Sequence, residues 1–475
     1  MILHTNNIKA RTGHFPGYLP LIIGFLLLTG CKKLIDIQDP RTQVSATGVY
    51  SSDANAKAAI YGLYSEMYAA RTWRLSATSV PGLTADEITT GLPQYNTYNV
   101  YFNNQIISND QTVAGIWTDF YKSIYNANAI IEGVAGSTGM TDPVKKQFTG
   151  EAKFVRAINH FYLVNLFGPV PLILTTDVKQ TVLAPRADSA TIYNQIIADL
   201  TEAQTLLSAD YSASGGQRTR VNKFAAAALL ARVYLHTGNF AKAEEAANVV
   251  LGSSQYSLLT TANMNGINLK NNKEAIFQFD VTGDATLITK TSWMVQYFVP
   301  TGATPADFVL RPELVNSFEA GDLRLKNWTG TITYQGTLYY YLFKYQQGIY
   351  GTNAALNEYH TVLRLDEQYL VRAEARAKQG NLAGGLADLN IIRKRAGLAD
   401  TTAATQGSLV NLIMHERQVE LFCDNGLRWL DLKRTGTVDA VIGAIKPTYK
   451  PFQKLYPIPI GEMQKNPALT QNPGY

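Results

Sequence analysis

Residues 224–251 read FAAAALLARVYLHTGNFAKAEEAANVVL, and residues 369–396 read YLVRAEARAKQGNLAGGLADLNIIRKRA. Each carries small and apolar residues at helical spacing, breaks at a glycine-asparagine pair (Gly238-Asn239, Gly380-Asn381) and then resumes. Aligned on those glycines, Ala231 falls on Ala373 and Ala243 on Gly385. Small residues at matching positions let two paired helices cross closely, and the glycine lets the first helix end in a left-handed turn. This is tetratricopeptide logic. The two pairs are not part of an evenly spaced array, so they predict a scaffold embedded in a larger domain.

Further helices are predicted upstream. Ile60, Leu63, Tyr64 and Met67 fall on one face behind a Ser52-Asp53 cap. Trp117, Phe120, Tyr121, Ile124, Asn128 and Ile131 form a second stripe, and Phe148, Ala152, Val155, Asn159, Tyr162 and Leu166 a third, stopped by Gly168-Pro169. Between the helical blocks, residues 71–116 and 256–360 are rich in Gly, Asn, Thr and Tyr. Both far exceed the usual connection of about 4–6 residues, and long excursions in a compact domain are where function concentrates. The expected class is mainly α, with helix pairs as scaffold and long irregular loops carrying the ligand surface.

The first thirty residues read as a processing signal. Lys9 and Arg11 precede the apolar run LPLIIGFLLL at 19–28, and Leu28-Thr29-Gly30-Cys31 follows at once. Ten helical residues reach only about 15 Å, half of a hydrocarbon core of ~30 Å, so the run is too short to span comfortably. Small residues before a cut and a thiol just after it form a lipobox, and Cys31 is the expected acylation site. Removing the leader takes away Lys9 and Arg11 and no acid, so the formal net charge falls by two, from +5 to +3. No basic tract beyond Lys32-Lys33 accompanies it, which leaves nucleic-acid binding without an electrostatic footprint. The one other cysteine, Cys423, has no partner, so packing rather than disulfides must hold the core. The 27 Tyr, 18 Phe and 5 Trp suit stacking on flat, weakly polar faces such as sugar rings.

Several blocks in order resemble the SusD/RagB family of outer-membrane nutrient-binding lipoproteins. They are Ile124–Asn128, GEAKFVRA at 150–157 with LFGPVPLI at 166–173, Asp199-Leu200, and residues 226–238. RLDEQYLVRAE at 364–374, NIIRKRAGL at 390–398, Glu416-Arg417, Glu420-Leu421 and RWLDLKR at 428–434 follow. YPIP at 456–459, Asn466-Pro467 and QNPGY at 471–475 close the chain. The turn Phe422–Gly426 departs from the family, which more often has a small residue and a Glu-Gly pair there. The resemblance implies a SusD-like fold with residues 1–30 as signal peptide and 31–475 as one nutrient-binding domain, its N-terminal region at about 31–240 and its C-terminal region at about 260–475. It also implies a glycan ligand, a palmitate-type lipid anchor in the outer membrane, and delivery to a TonB-dependent (SusC-like) transporter. No catalytic residue, metal or cofactor is implied.

Candidate ligand contacts come from the irregular stretches. Trp73, Trp293 and Trp328 sit away from any periodic apolar face, accompanied by Tyr95, Tyr98, Tyr101, Tyr297 and Tyr339–Tyr341. Asp86, Asn96 and Arg311 are candidates to bond sugar hydroxyls. Trp117 and Trp429 read as core instead. Glu416, Arg417, Glu420, Arg428, Asp431 and Arg434 read as a structural ion-pair network on or beside one helix. His415-Glu416 begins like the zinc motif HExxH, but Val419 occupies the second histidine position. The remaining readings are a surface glycoside hydrolase, for which Asp86-Glu87 is the nearest carboxylate pair, and a repeat scaffold that binds only proteins.

Overall fold

A computed structural model describes residues 46–69, 73, 77–281, 293–346 and 357–475. The leader and Cys31 lie outside the described residues, as do the side chains of Tyr95, Asn96 and Trp293.

Helix α1 (Asp53–Ala69) buries Ile60, Leu63, Tyr64 and Met67, the face its spacing predicts. Ser52 Oγ accepts from the Asn55 amide at 3.2 Å, while Asp53 reaches across to the amide and hydroxyl of Thr141, each 2.8 Å away. Thr141 is the N-cap of the helix that starts at Asp142, so one carboxylate ties two helix starts together. Helix α2 (Gln111–Gly136), capped by Asp110, buries Trp117, Phe120, Ile124 and Asn128. Helix α3 (Asp142–Phe167) packs between α2 and α4 (Ser189–Leu206) and ends at Gly168, whose φ of 75° supplies the left-handed exit.

The repeat-like segments fold as α5 (Lys223–His236) with α6 (Phe240–Leu251), and α7 (Leu365–Lys378) with α8 (Leu382–Arg395). Ala231 and Ala373 are fully buried. A Cβ on Gly385 would sit 2.8 Å from the Ala373 carbonyl oxygen, so the α7–α8 crossing requires glycine there. The two pairs stack through α6 and α7, where Arg376 bonds Glu244 at 2.8 Å and Arg372 bonds Asn248 at 2.8 Å. Helices α9 (Gln406–Glu420), α10 (Leu427–Arg434) and α11 (Val438–Ile445) follow. Val49–Tyr475 forms one compact unit, with a main core and a smaller one around Leu370, Leu389, Leu409 and Ile413. Among the described residues no helix is long and apolar enough to cross a membrane.

The long stretches between helices are more ordered than their composition predicts. They supply an antiparallel sheet of β1 (Ile88–Thr90), β2 (Phe308–Leu310), β3 (Thr329–Tyr334) and β4 (Thr337–Leu342), in the order β1-β2-β4-β3. Gln335 and Gly336, with φ of 49° and 79°, turn β3 into β4. A two-residue loop with both φ positive matches the right-handed twist of the strands it joins. Ala275–Phe279 pairs with His360–Arg364 in a separate, fully buried ribbon leading into α7.

Candidate functional site

Two segments far apart in sequence meet on Phe308 of β2. The 3-10 helix Pro93–Tyr98 presents Tyr98 edge-on to the Phe308 ring, with centroids 4.8 Å apart. The short helix Trp293–Phe298 stacks Tyr297 on the same ring at 6.1 Å and packs Phe298 against it at 5.4 Å. Tyr98 and Tyr297 are half-buried. Tyr95 and Asn96 belong to the first of these elements and Trp293 to the second.

Of the hairpin's tyrosines, Tyr340 shares the sheet face of Leu310 and Phe308, and Tyr339 and Tyr341 project from the other face. Tyr340 stands opposite Leu310 on β2 and Thr331 on β3, and Tyr341 opposite Gly330. A Cβ on Gly330 would fall 2.2 Å from the Tyr341 ring, so that ring lies flat over the glycine. Tyr339, Tyr340 and Tyr341 are half-buried and Leu338 is exposed. Aromatic groups with one open face and a hydroxyl at the rim offer a sugar both an apolar platform and hydrogen bonds.

Four other expected contacts belong to the interior, and Tyr101 with them. Trp73 is 1% exposed and is surrounded by Tyr162, Phe279 and Phe120 at 5.0, 5.6 and 5.9 Å. Trp328 is 0% exposed, its indole N–H donating to the Met264 carbonyl at 3.1 Å. Neither ring has a free face for a ligand. Asp86 is buried and spent on Arg428, in a two-pronged pair at 2.8 and 2.6 Å. Arg311 is likewise buried and paired through two nitrogens with Glu313, at 3.1 and 2.7 Å. Tyr101 is buried and donates to Asp110 at 2.6 Å. Lack of helical periodicity was the signal for exposure here, and it fails where an irregular segment threads the core.

The charge block at 416–434 is structural, but its partners are mostly distant in sequence. Glu416 bonds Arg324 at 2.6 Å, Glu420 bonds Arg324 at 2.9 Å and Arg395, and Arg434 bonds Glu374 at 2.6 Å. Only Asp431 pairs locally, with Arg417 and Arg434, both at 2.7 Å. Burial alone would raise the Glu420 carboxyl, but Arg395 and Arg324 beside it hold it well below the usual carboxylate range. The trio Glu274, Asp366 and Glu420 has the proximity of a metal site, yet Arg324, Arg364 and Arg395 already occupy its oxygens. Glu319, His415 and Glu416 are similarly engaged by Arg393, the Ser317 carbonyl and Arg324.

Sequence reading gave Glu87 no role of its own. Burial pushes its carboxyl up to about 8, against one stabilising bond from the Cys423 amide at 2.9 Å, and its Oε2 has no partner. With Asp86 locked by Arg428, the Asp86-Glu87 pair does not present two carboxylates at a cleft.

Comparison with known proteins decides the family. A model described as starch-binding and associating with the outer membrane matches residues 38–235, and the SusD family model matches residues 326–475. This chain belongs to the SusD family. A SusD-like protein of Formosa agariphila is 24% identical across 95% of this chain and 97% of its own length. The starch-binding protein SusD of Bacteroides thetaiotaomicron is 27% identical over 71% of this chain and 74% of its own. A solved laminarin-binding SusD-like protein superposes with a TM-score of 0.76 at 24% identity, covering 90% of this chain and all of that one. The SusD-like fold, mainly helical with repeat-like pairs, is thereby established for this chain.

Proposed function

We propose that this SusD-family protein is a lipid-anchored glycan receptor of the outer-membrane surface that hands its ligand to a TonB-dependent transporter. The observation that carries the reading is the convergence of Tyr98 and Tyr297 on Phe308, from two separate stretches, beside a tyrosine-bearing hairpin. The starch-binding and laminarin-binding relatives support a glycan as the ligand class. Residues 1–30 act as the leader, residues 31–475 as the mature nutrient-binding domain, and Cys31 carries the acyl chains. Each buried methylene of an acyl chain contributes ~0.8 kcal/mol, so several chains together anchor firmly. No chemistry is done on the ligand and no cofactor takes part. Stacking and hydrogen bonding hold the sugar, and the barrel supplies the passage.

Two outcomes follow. Tyr297→Ala and Tyr340→Ala should each weaken polysaccharide binding by on the order of 1 kcal/mol, about fivefold, the scale of a single aromatic contact. Affinity electrophoresis in polysaccharide-containing gels reads this, and unchanged mobility shifts for both variants would remove this tyrosine surface from the site. In the native organism, labelled palmitate should enter the wild type and not Cys31→Ala. Equal labelling of both would contradict anchoring at Cys31.

A further inference from the structure

A groove of about 700 Å³ lies where the two repeat-like pairs meet the C-terminal helices. Its walls come from the α5–α6 turn, α7, α9, α10 and α11, none of which carries the tyrosine surface. That volume is within the range of about 300–1,000 Å³ typical of ligand sites. Apolar side chains line much of it, among them Phe240, Val410, Met414, Leu432 and Val441.

The polar inventory is one-sided. Glu374 is the one acid in the lining, and both its oxygens are taken by Arg434, at 2.6 and 2.7 Å. Arg434 directs its remaining nitrogen at Asp431. Arg428 spends Nε and one terminal nitrogen on Asp86, which leaves Nη1 without a hydrogen bond among the described residues. Lys378 is exposed at the rim and has no acidic partner among the described residues. His236 makes no hydrogen bond, packs its ring edge-on against Phe161 at 4.9 Å, and is held neutral by burial and by Arg434. Asn411 is also without a side-chain hydrogen bond among the described residues.

The charged donors still free are therefore cationic, every lining carboxylate is neutralised, and the walls between them are aliphatic. We propose that this groove docks a segment of a partner protein that presents carboxylate side chains beside aliphatic ones. Lys378 Nζ and Arg428 Nη1 receive the carboxylates, and Val410, Met414 and Leu432 receive the aliphatic groups. A polypeptide fits better than a fatty acid because its backbone amides can satisfy His236 and Asn411, which a hydrocarbon chain would cover and leave unpaired. A neutral sugar would leave both cationic donors unmatched. The inference stands apart from glycan capture, since it uses different elements and a different chemistry.

The test is fluorescence anisotropy of the mature chain with a short fluorescein-labelled peptide alternating leucine and glutamate, alongside its leucine-glutamine counterpart. Saturable binding is expected for the glutamate peptide, weakened by added salt and by replacement of glutamate with glutamine. Lys378→Glu should weaken it about tenfold by putting like charges face to face. Because Lys378 is exposed and unpaired, the thermal midpoint and polysaccharide binding of that variant should match wild type. Val410→Trp, which fills the groove, gives a second reading, with polysaccharide binding as the check that it has folded. Equal affinity for both peptides, no saturable binding of either, or displacement of the peptide by a neutral oligosaccharide or by octanoate would each overturn the proposal.

Discussion

Trp328→Ala is expected to destabilise the protein by about 3–5 kcal/mol, the scale of deleting a fully buried aromatic side chain. The indole has no exposed surface, donates to the Met264 carbonyl, and is flanked by Lys344 Nζ at 5.0 Å and the Phe422 ring at 6.4 Å. Truncation would remove the packing, orphan the Met264 carbonyl and take one of two aromatic faces from the buried Lys344 ammonium, which keeps Phe422 at 4.1 Å. Trp73→Ala should fall in the same range, because the Tyr162, Phe279 and Phe120 rings close around it. Chemical denaturation gives the free energies directly. A variant with near wild-type stability and lost glycan affinity would return the residue to the ligand surface.

Glu420→Ala should cost about 3–5 kcal/mol as well, by a different route. Its carboxylate is fully buried between Arg324 and Arg395, with Arg364 Nη1 at 3.7 Å, so its removal leaves guanidinium charge buried and uncompensated. An exposed pair such as Lys454–Asp439, 3.8 Å apart, should by contrast contribute under ~1 kcal/mol when Asp439 is replaced by Asn. Two of the buried acids, Glu420 and Asp431, add to the acid limb of the stability curve, while burial raises Glu416 and Asp366 beside Glu420 and works the other way. Arginines hold the folded-state pKa values of Glu420 and Asp431 below their ordinary ones, in each case against the opposing effect of burial. Their contribution is complete above the unfolded value and is lost as pH falls through the folded one. Wild type should therefore lose stability steeply below about pH 4.5, and Glu420→Ala less steeply. Equal slopes in the two proteins would show that this ion cluster does not govern acid unfolding.

What the sequence showed depended on periodicity. The three upstream stripes and both helix pairs were legible because a 3.6-residue repeat of apolar positions says which face is buried, and the aligned small residues said where helices cross. The sheet was hidden because β1 and β2 are three residues long and gain their partners only in three dimensions. The hairpin had a signal that could have found it. Thr329–Tyr334 and Thr337–Leu342 flank the two-residue turn Gln335-Gly336, a length and composition suited to a tight antiparallel connection. Trp73, Asp86 and Arg311 are misplaced because an irregular backbone reads as a surface backbone, and Trp328 because it ends a helix of 6 residues, too short to show a periodic face. Long connections in this protein thread back through the core, and a group that covers them can lie far off in sequence, as Arg428 lies 342 residues from Asp86. The meeting of Tyr98 and Tyr297 on Phe308 is equally non-local, so composition pointed to the right stretches without showing which residues would share a face.

The central claim is that this surface holds a glycan and leaves it intact. Incubating the purified mature chain with a panel of polysaccharides that includes starch and laminarin, and measuring both retention and newly formed reducing ends, tests it most directly. The account predicts saturable retention of at least one polysaccharide with no rise in reducing ends over the buffer control. Release of reducing ends, or failure to retain any glycan of the panel while the chain remains folded, would contradict it.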